Sequence, residues 1–348
     1  MTTQLQKCTK KGRGTMLGKR TIHLTPTLLL LMTSLSWSNE QTGTMTQVEG
    51  SVKIFSHPSK ILQKESGAPH ALFEGEYFLV ADAKVGDRVE KGNIVRTAPG
   101  SKARVVYENG DQFNVGPATA YRVTWNEGTS KNHTQVTLAY GKLRGIIEKG
   151  GPRSRLQVRT KTAVMGVRGT DFFIAQNGTH EATEVSIIRG EVEVSPQDSK
   201  AKPVAVQAGY SAAVTMKETT TNQKVDPKVE LRKTTQEEFV GIQKSSTLSH
   251  SNRMIASAPE TQKTVEVLEQ KATATVLKDI QTHDKKLYAT LEKQSEGDLK
   301  ITVDKINQAA IANLIKEAPK APPKRKPYQS EMEDIEDGAY EKYFKQVD

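Results

Sequence analysis

Thr162-Ala163-Val164-Met165-Gly166-Val167-Arg168-Gly169-Thr170-Asp171-Phe172 decides how this chain is read. The run mixes apolar strand formers with glycines at the points where the backbone must turn. It belongs to the second copy of an approximate internal repeat. The first copy reads Val95-Arg96-Thr97, Ala103-Arg104-Val105 and Gly110-Asp111-Gln112-Phe113-Asn114-Val115, and continues through Val136-Thr137-Leu138 to Gly141-Lys142-Leu143. The second reads Val158-Arg159-Thr160, Ala163-Val164 and Gly169-Thr170-Asp171-Phe172-Phe173-Ile174, then runs from Val185 to Gly190-Glu191-Val192. Short strands that recur with glycine at matching turns point to a stacked β-architecture. Such an architecture presents a surface and does not assemble a catalytic pocket.

Working outward, Val48 to Phe55 alternates apolar and polar residues, the period of one half-buried strand. Residues 39–46 read as polar and loose. Residues 56–76 carry His57, Pro58, Gly67, Pro69, His70 and Gly75 and read as a loop insertion. From Val85 strands follow quickly. Asn109-Gly110 between two alternating runs predicts a hairpin, and Gln176-Asn177-Gly178 and Pro196-Gln197-Asp198 mark further turns. The fold expected is an all-β domain, a β-solenoid or sandwich of repeated short strands, followed by a linker, C-terminal amphipathic helices and a disordered tail.

The run 162–172 resembles the signature of the FecR domain, a periplasmic module first associated with iron-transport signalling. The resemblance extends through Val185 to Val192 and Val206-Gln207-Ala208-Gly209-Tyr210-Ser211-Ala212, roughly residues 85 to 215. Its signature residues here are Gly166, Val167, Arg168, Gly169, Thr170, Asp171, Phe172, Gly190 and Gly209. FecR regulators of iron signalling place a sigma-factor-binding segment and a transmembrane helix before the periplasmic part, and here a leader replaces both. The resemblance therefore implies an exported, non-enzymatic β-rich module that senses or scaffolds through protein contacts.

The leader supplies the address. Lys7, Lys10, Lys11, Arg13, Lys19 and Arg20 precede the apolar run Leu28 to Leu35, and Ser36-Trp37-Ser38 offers a cleavage site near Ser38. Either Met1 or Met16 can start such a signal. The apolar run is too short to span a bilayer. Its removal leaves 44 basic and 40 acidic residues, a net charge near +4 against +10 for the whole chain, which argues against nucleic acid as a partner. Cys8, the one cysteine, lies in the leader, so the mature chain would have no disulfide. A periplasmic or secreted protein with no transmembrane segment is expected. The boundaries read as 1–38 signal peptide, 39–84 N-terminal strand and insertion, 85–216 FecR-like domain, 217–263 linker, 264–316 amphipathic helices and 317–348 tail.

The linker leaves room for one short helix near Gln236 to Ile242. In the helical region Val265, Leu268, Ala272, Val276, Ile280, Leu287 and Leu291 recur at three- and four-residue steps, and Leu299, Val303, Ile306, Ala310 and Leu314 repeat the pattern after Gly297. Two helices are predicted, pairing with each other or with a partner. Ala318 to Pro327 is an extended basic spacer, and Glu331 to Phe344 is acidic and aromatic.

For chemistry, no pair of the histidines stands at metal-ligand spacing, and neither a Gly-x-Ser-x-Gly elbow nor a His-Glu-x-x-His helix occurs. No catalytic residue, cofactor or metal is assigned. Arg168 and Asp171 flank a glycine and could bind a ligand, or Gly166 and Gly169 permit a tight turn while Arg168 pairs with Asp171 or caps exposed carbonyls. Lys142, Arg144, Lys149, Arg153, Arg155 and Arg159 could face an anionic wall polymer or glycan, or simply line solvated strands. An envelope protein is the expected partner, with cell-wall or surface-glycan binding as the alternative.

Overall fold

The computed structural model describes residues 42–61, 69–125, 133–153, 155–178, 182–197, 199, 201–215, 228–248, 258–295 and 301–320. The leader and the tail beyond residue 320, with the readings placed on them, lie outside these residues. In chain order the strands are β1 (Gly43–Glu49), β2 (Val52–Ser59), β3 (His70–Phe73), β4 (Glu76–Asp82), β5 (Arg88–Val89), β6 (Ile94–Thr97), β7 (Lys102–Tyr107), β8 (Gln112–Val115) and β9 (Thr119–Trp125). They continue as β10 (His133–Ile146), β11 (Arg155–Arg159), β12 (Ala163–Val167), β13 (Asp171–Asn177), β14 (Ala182–Arg189), β15 (Glu191–Pro196), β16 (Val204–Gln207), β17 (Tyr210–Thr215) and β18 (Lys228–Lys233). Four helices follow: α1 (Gln236–Ser246), α2 (Pro259–His283), α3 (Lys285–Ser295) and α4 (Val303–Glu317).

The strands form two hydrogen-bonded ladders. The first runs β5-β1-β7-β8-β10-β13-β14-β17-β18. The second runs β3-β4-β2-β6-β9-β10-β11-β12-β15-β16. Pairing is antiparallel throughout except between β10 and β11. Both ladders bury one face in a common core that includes Val105, Phe113, Phe172, Ile174 and Val185 from the first and Val123, Val136, Val158, Met165 and Val192 from the second. The all-β expectation holds, in its sandwich form.

The chain passes between ladders at Gly50, Gly141 and Gly190, with φ of 71°, 94° and 86°. An L-residue resists this left-handed backbone, whereas glycine takes it freely. At Gly141 a Cβ would also stand 2.5 Å from the Ala118 carbonyl oxygen. β10 thus serves both ladders: its first half pairs with β9 and β11, its second with β8 and β13. At Gly50 the crossing divides the stretch Val48 to Phe55 into two strands. Val48 and Val52 both face the core, so the alternation keeps its parity through the corner and reads in sequence as one element. β1 already begins at Gly43, and β3, inside the stretch read as an insertion, forms a hairpin with β4, which lies almost wholly beyond it.

The Asn109-Gly110 hairpin joins β7 to β8 with Gly110 at φ 93°. A second Asn-Gly, Asn177-Gly178, follows β13, which pairs with β14 in the same ladder. The repeat therefore exists, in a different frame from the sequence match. From β11 to β18, two strands in the second ladder alternate with two in the first.

Within the stretch read as a linker, β18 extends the first ladder and α1 follows it. Thr235 caps α1 through a box with Glu238: the Glu238 N–H donates to Thr235 Oγ1, and the Thr235 N–H donates to the Glu238 carboxylate at 2.8 Å. The helical stripe beyond it forms three helices and not two. Asp284 ends α2, and its Oδ1 accepts from the Leu287 N–H at 3.0 Å to start α3. The stripe residues Val265, Leu268, Ala272, Val276, Ile280, Leu287, Leu291, Val303, Ile306 and Ala310 are all buried. Among the described residues no helix is long and apolar enough to cross a membrane.

Candidate functional site

The outward face of the first ladder holds the densest set of buried charges. Arg104 sits between Ala103 and Val105, Asn114 between Phe113 and Val115, and Arg144 between Leu143 and Gly145. Strand alternation sends the apolar neighbours of each into the core and the polar side chain to the opposite face. The register then aligns Gln47, Arg104, Asn114, Arg144, Phe173, Ser186, Ser211 and Arg232 in one row across β1, β7, β8, β10, β13, β14, β17 and β18. The next row carries Val106, Gln112, Ile146, Asp171 and Arg189.

The helices cover this face, so its polar groups are dry. Arg104 is 1% exposed and Arg144 0%. Arg104 Nε donates to Asn114 Oδ1 at 2.9 Å, and its terminal nitrogens reach Glu269 on α2 and Asp304 on α4. Burial alone would lower the Arg104 pKa, but the two carboxylates reverse that and raise it further. Arg144 forks onto Asp171 and donates from Nη1 to the Asn307 carbonyl of α4 at 3.1 Å. Asn307 Nδ2 in turn donates to Gln112 Oε1 at 3.2 Å. Arg189 pairs with Asp279 of α2 at 2.9 Å. Lys102 Nζ donates to the Lys244 and Thr247 carbonyls at the end of α1. Its pKa is lowered by burial and by Lys244, against an opposing pull from Glu49.

A second network fixes the β7–β8 turn. Arg153 is 2% exposed, donates to Asn109 Oδ1 and Asp111 Oδ2, and lies 3.6 Å above the centroid of Tyr107. Asp111 Oδ1 accepts the Glu148 N–H at 2.6 Å. Burial pushes the Tyr107 pKa up to about 12; Arg153 pulls it down and Asp111 adds to the rise.

The signature residues divide by role. Val167, Thr170, Asp171 and Phe172 are buried, and Arg168 is exposed. Asp171 pairs with Arg144, so the Arg168–Asp171 pairing weighed from the sequence is not the one made. Gly169, Gly190 and Gly209 take positive φ, whereas Gly166 lies within β12 and makes no turn. Phe172 covers Gly145, its register partner, where a Cβ would stand 2.6 Å from Phe172 Cε1. Phe173 points the other way, into the apolar cluster shared with the helices. Of the six basic residues considered for glycan, Arg144 and Arg153 are spent on internal ion pairs, while Lys149, Arg155 and Arg159 are exposed. Among the described residues no group of His, Cys, Asp and Glu side chains could hold a metal ion.

Sequence reasoning missed Arg104, Asn114 and Gln112 as a set. The signal was a polar residue flanked by apolar ones on successive strands. What hid it was the cover, since the same pattern on an open face would be ordinary solvated surface. Chemically, Arg104 meets carboxylates on α2 and α4 and Arg189 meets one on α2, while Arg144 forks onto Asp171 within the ladder.

Residues 93–193 match the family described as "FecR protein". No curated protein matches the chain. Two crystal structures of a "putative anti-sigma factor" from Parabacteroides distasonis, at 2.50 and 1.65 Å resolution, are similar at 18% identity and a TM-score of 0.32. Each match covers 40% of this chain and 59% of the other, so this chain spans a little over half the length of that relative. The matched segment opens at Asn93, just before β6, and closes within β15, so the chain carries a FecR domain built from both ladders.

Proposed function

We propose that this is an exported, non-enzymatic regulatory module that acts in the cell envelope by binding another protein. The single observation that carries the reading is how the FecR domain treats its polar face. Arg104, Arg144 and Arg189 are already engaged in recognising protein, namely α2 and α4. A domain that presents a fixed row of paired charges to helices is equipped to bind and not to turn over. The basic leader with its short apolar run supports export to the periplasm or beyond. The helices pack on the domain through Phe173 and Ile188, on the face opposite its own core.

The test is photo-crosslinking in intact cells, using the full chain with a photoreactive residue at Arg168, Leu231 or Val240. Leu231 and Val240 are 48% and 50% exposed. Discrete protein adducts at a defined position support the reading, and their absence from every position overturns it. The glycan alternative keeps one favourable observation, the exposed trio Lys149, Arg155 and Arg159. It requires sedimentation with purified sacculi that weakens as salt rises, and that falls when all three are changed to Gln.

A further inference from the structure

We infer that the outer face of the first ladder is the docking surface for an acidic amphipathic helix of the partner, and that α2 and α4 occupy it as an intramolecular stand-in. This rests on the reading of the chain as a protein-contact module and names the surface that reading requires.

Two observations separate the helical layer from the sandwich beneath it. First, the layer has an apolar core largely of its own. Phe239, Ile242, Val276, Ile280, Leu287, Leu291, Ile306 and Ile311 pack together, and the ladder adds only Ile146, Phe173, Ala175 and Ile188 to that cluster. Val106 meets Leu268, Ala272 and Val303 at a second point, and Val265 of α2 joins the core of the sandwich at a third. Second, the seam between layer and ladder is polar and incompletely satisfied. Among the described residues, both polar atoms of the Gln47 side chain have no hydrogen-bond partner, nor do Gln112 Nε2, Asn114 Nδ2, Asn307 Oδ1, or Nε and Nη1 of Arg189. Groups buried without partners favour a state in which they regain water. The core between the two ladders is built mainly of Val, Ile, Leu, Phe, Ala and Met side chains, and the unpaired polar atoms it contributes are the hydroxyls of Tyr107 and Tyr121, against the larger set along the seam. The seam can therefore open while the sandwich stays folded.

What the opened face would bind is set by what it binds now. It offers the guanidinium groups of Arg104, Arg144 and Arg189 around Val106, Ile146 and Phe173. Against it α2 sets Glu269, Ala272, Val276 and Asp279, at steps of three, four and three residues. The matching partner is a helix with two carboxylates about ten residues apart, some 15 Å along the axis, and small or apolar residues between them on the same face. Release of α2 and α4 and capture of that helix are then one competition, decided by relative affinity.

The test uses the full chain. Amide hydrogen exchange of the wild type is followed at 50 mM and 500 mM salt. The expected result is that α2 and α4 exchange through an opening that salt promotes, while β7, β8, β10 and β13 stay protected. Exchange of helices and strands at one common rate overturns the inference. In parallel, the double variant Glu269→Lys/Asp279→Lys is titrated with a fluorescent peptide of residues 259–283 in its native sequence, and with the same peptide carrying both charge reversals. At least tenfold tighter binding of the native peptide to the variant, and weaker binding of it to the wild type, is expected. Equal affinity for the two peptides, or no saturable binding while the ladder remains protected, overturns the inference. If the variant fails to fold, the wild-type exchange result decides alone. Crosslinked partner protein found only on other faces, with the helices never released, overturns this inference and leaves the protein-contact reading standing.

Discussion

Arg144 and Asp171 lie one register step apart on β10 and β13 and meet as a fork. Nε donates to Oδ1 and Nη2 to Oδ2, each at 2.8 Å, and both side chains are shielded from solvent. Removing one member would leave the other charged, buried and unmatched. Asp171→Ala is expected to cost about 3–5 kcal/mol, whereas Arg168→Ala, at an exposed position three residues away, should stay within about 0.5 kcal/mol. Denaturant melts of the two variants check the difference.

The signature glycines should respond unequally to a side chain. Gly169 has φ 65°, and a Cβ there would stand 2.5 Å from the Lys149 Cα. Gly209 has φ 83° but open space around it. Gly166 is extended, and a Cβ would meet nothing nearer than 3.9 Å. Backbone strain alone predicts a loss of about 1–3 kcal/mol for Gly209→Val, with more for Gly169→Val. Gly166→Ala should be close to neutral. Thermal melting in the order Gly169, Gly209, Gly166 from worst to mildest is the expected result.

Tyr107 sets an alkaline limit. Below pH 10 its phenol is neutral whether the chain is folded or unfolded. Between 10 and 12 the unfolded phenol ionises while the folded one, held up to about 12 by burial, resists. Stability is therefore full below pH 10 and is lost as pH rises toward 12, by about 2–3 kcal/mol from this group. Tyr107→Phe should flatten that slope. Tyrosinate absorbance recorded alongside unfolding tests it.

The α1 cap offers a local measurement. Thr235→Ala removes the side-chain half of the capping box and is expected to cost about 1 kcal/mol. Hydrogen exchange should quicken in the first turn of α1 before it does so elsewhere.

The strands were legible because alternation and Asn-Gly turns are local signals. Asn109-Gly110 gave its hairpin outright. The corner at Gly50 was not legible, because parity survives it. The split of the helical stripe at Asp284 was also hidden, since Ile280 and Leu287 stay on one face across the break. Arg144 was noticed but as part of a basic surface. Its burial depends on α4, which lies more than 150 residues further along the chain. Alternation sends Phe172 and Phe173 to opposite faces of β13, but only the helices explain why both are buried.

The crossings at Gly141 and Gly190 bear on how such a domain can change length. From β11 onward two strands join one ladder, then two join the other, and each crossing hands the chain to the opposite side. Four strands, from β13 to β16 for instance, form the smallest block whose duplication returns the chain to the same ladder and the same face. A duplication that preserved this arrangement would therefore add strands four at a time, whatever the length of the loops between them.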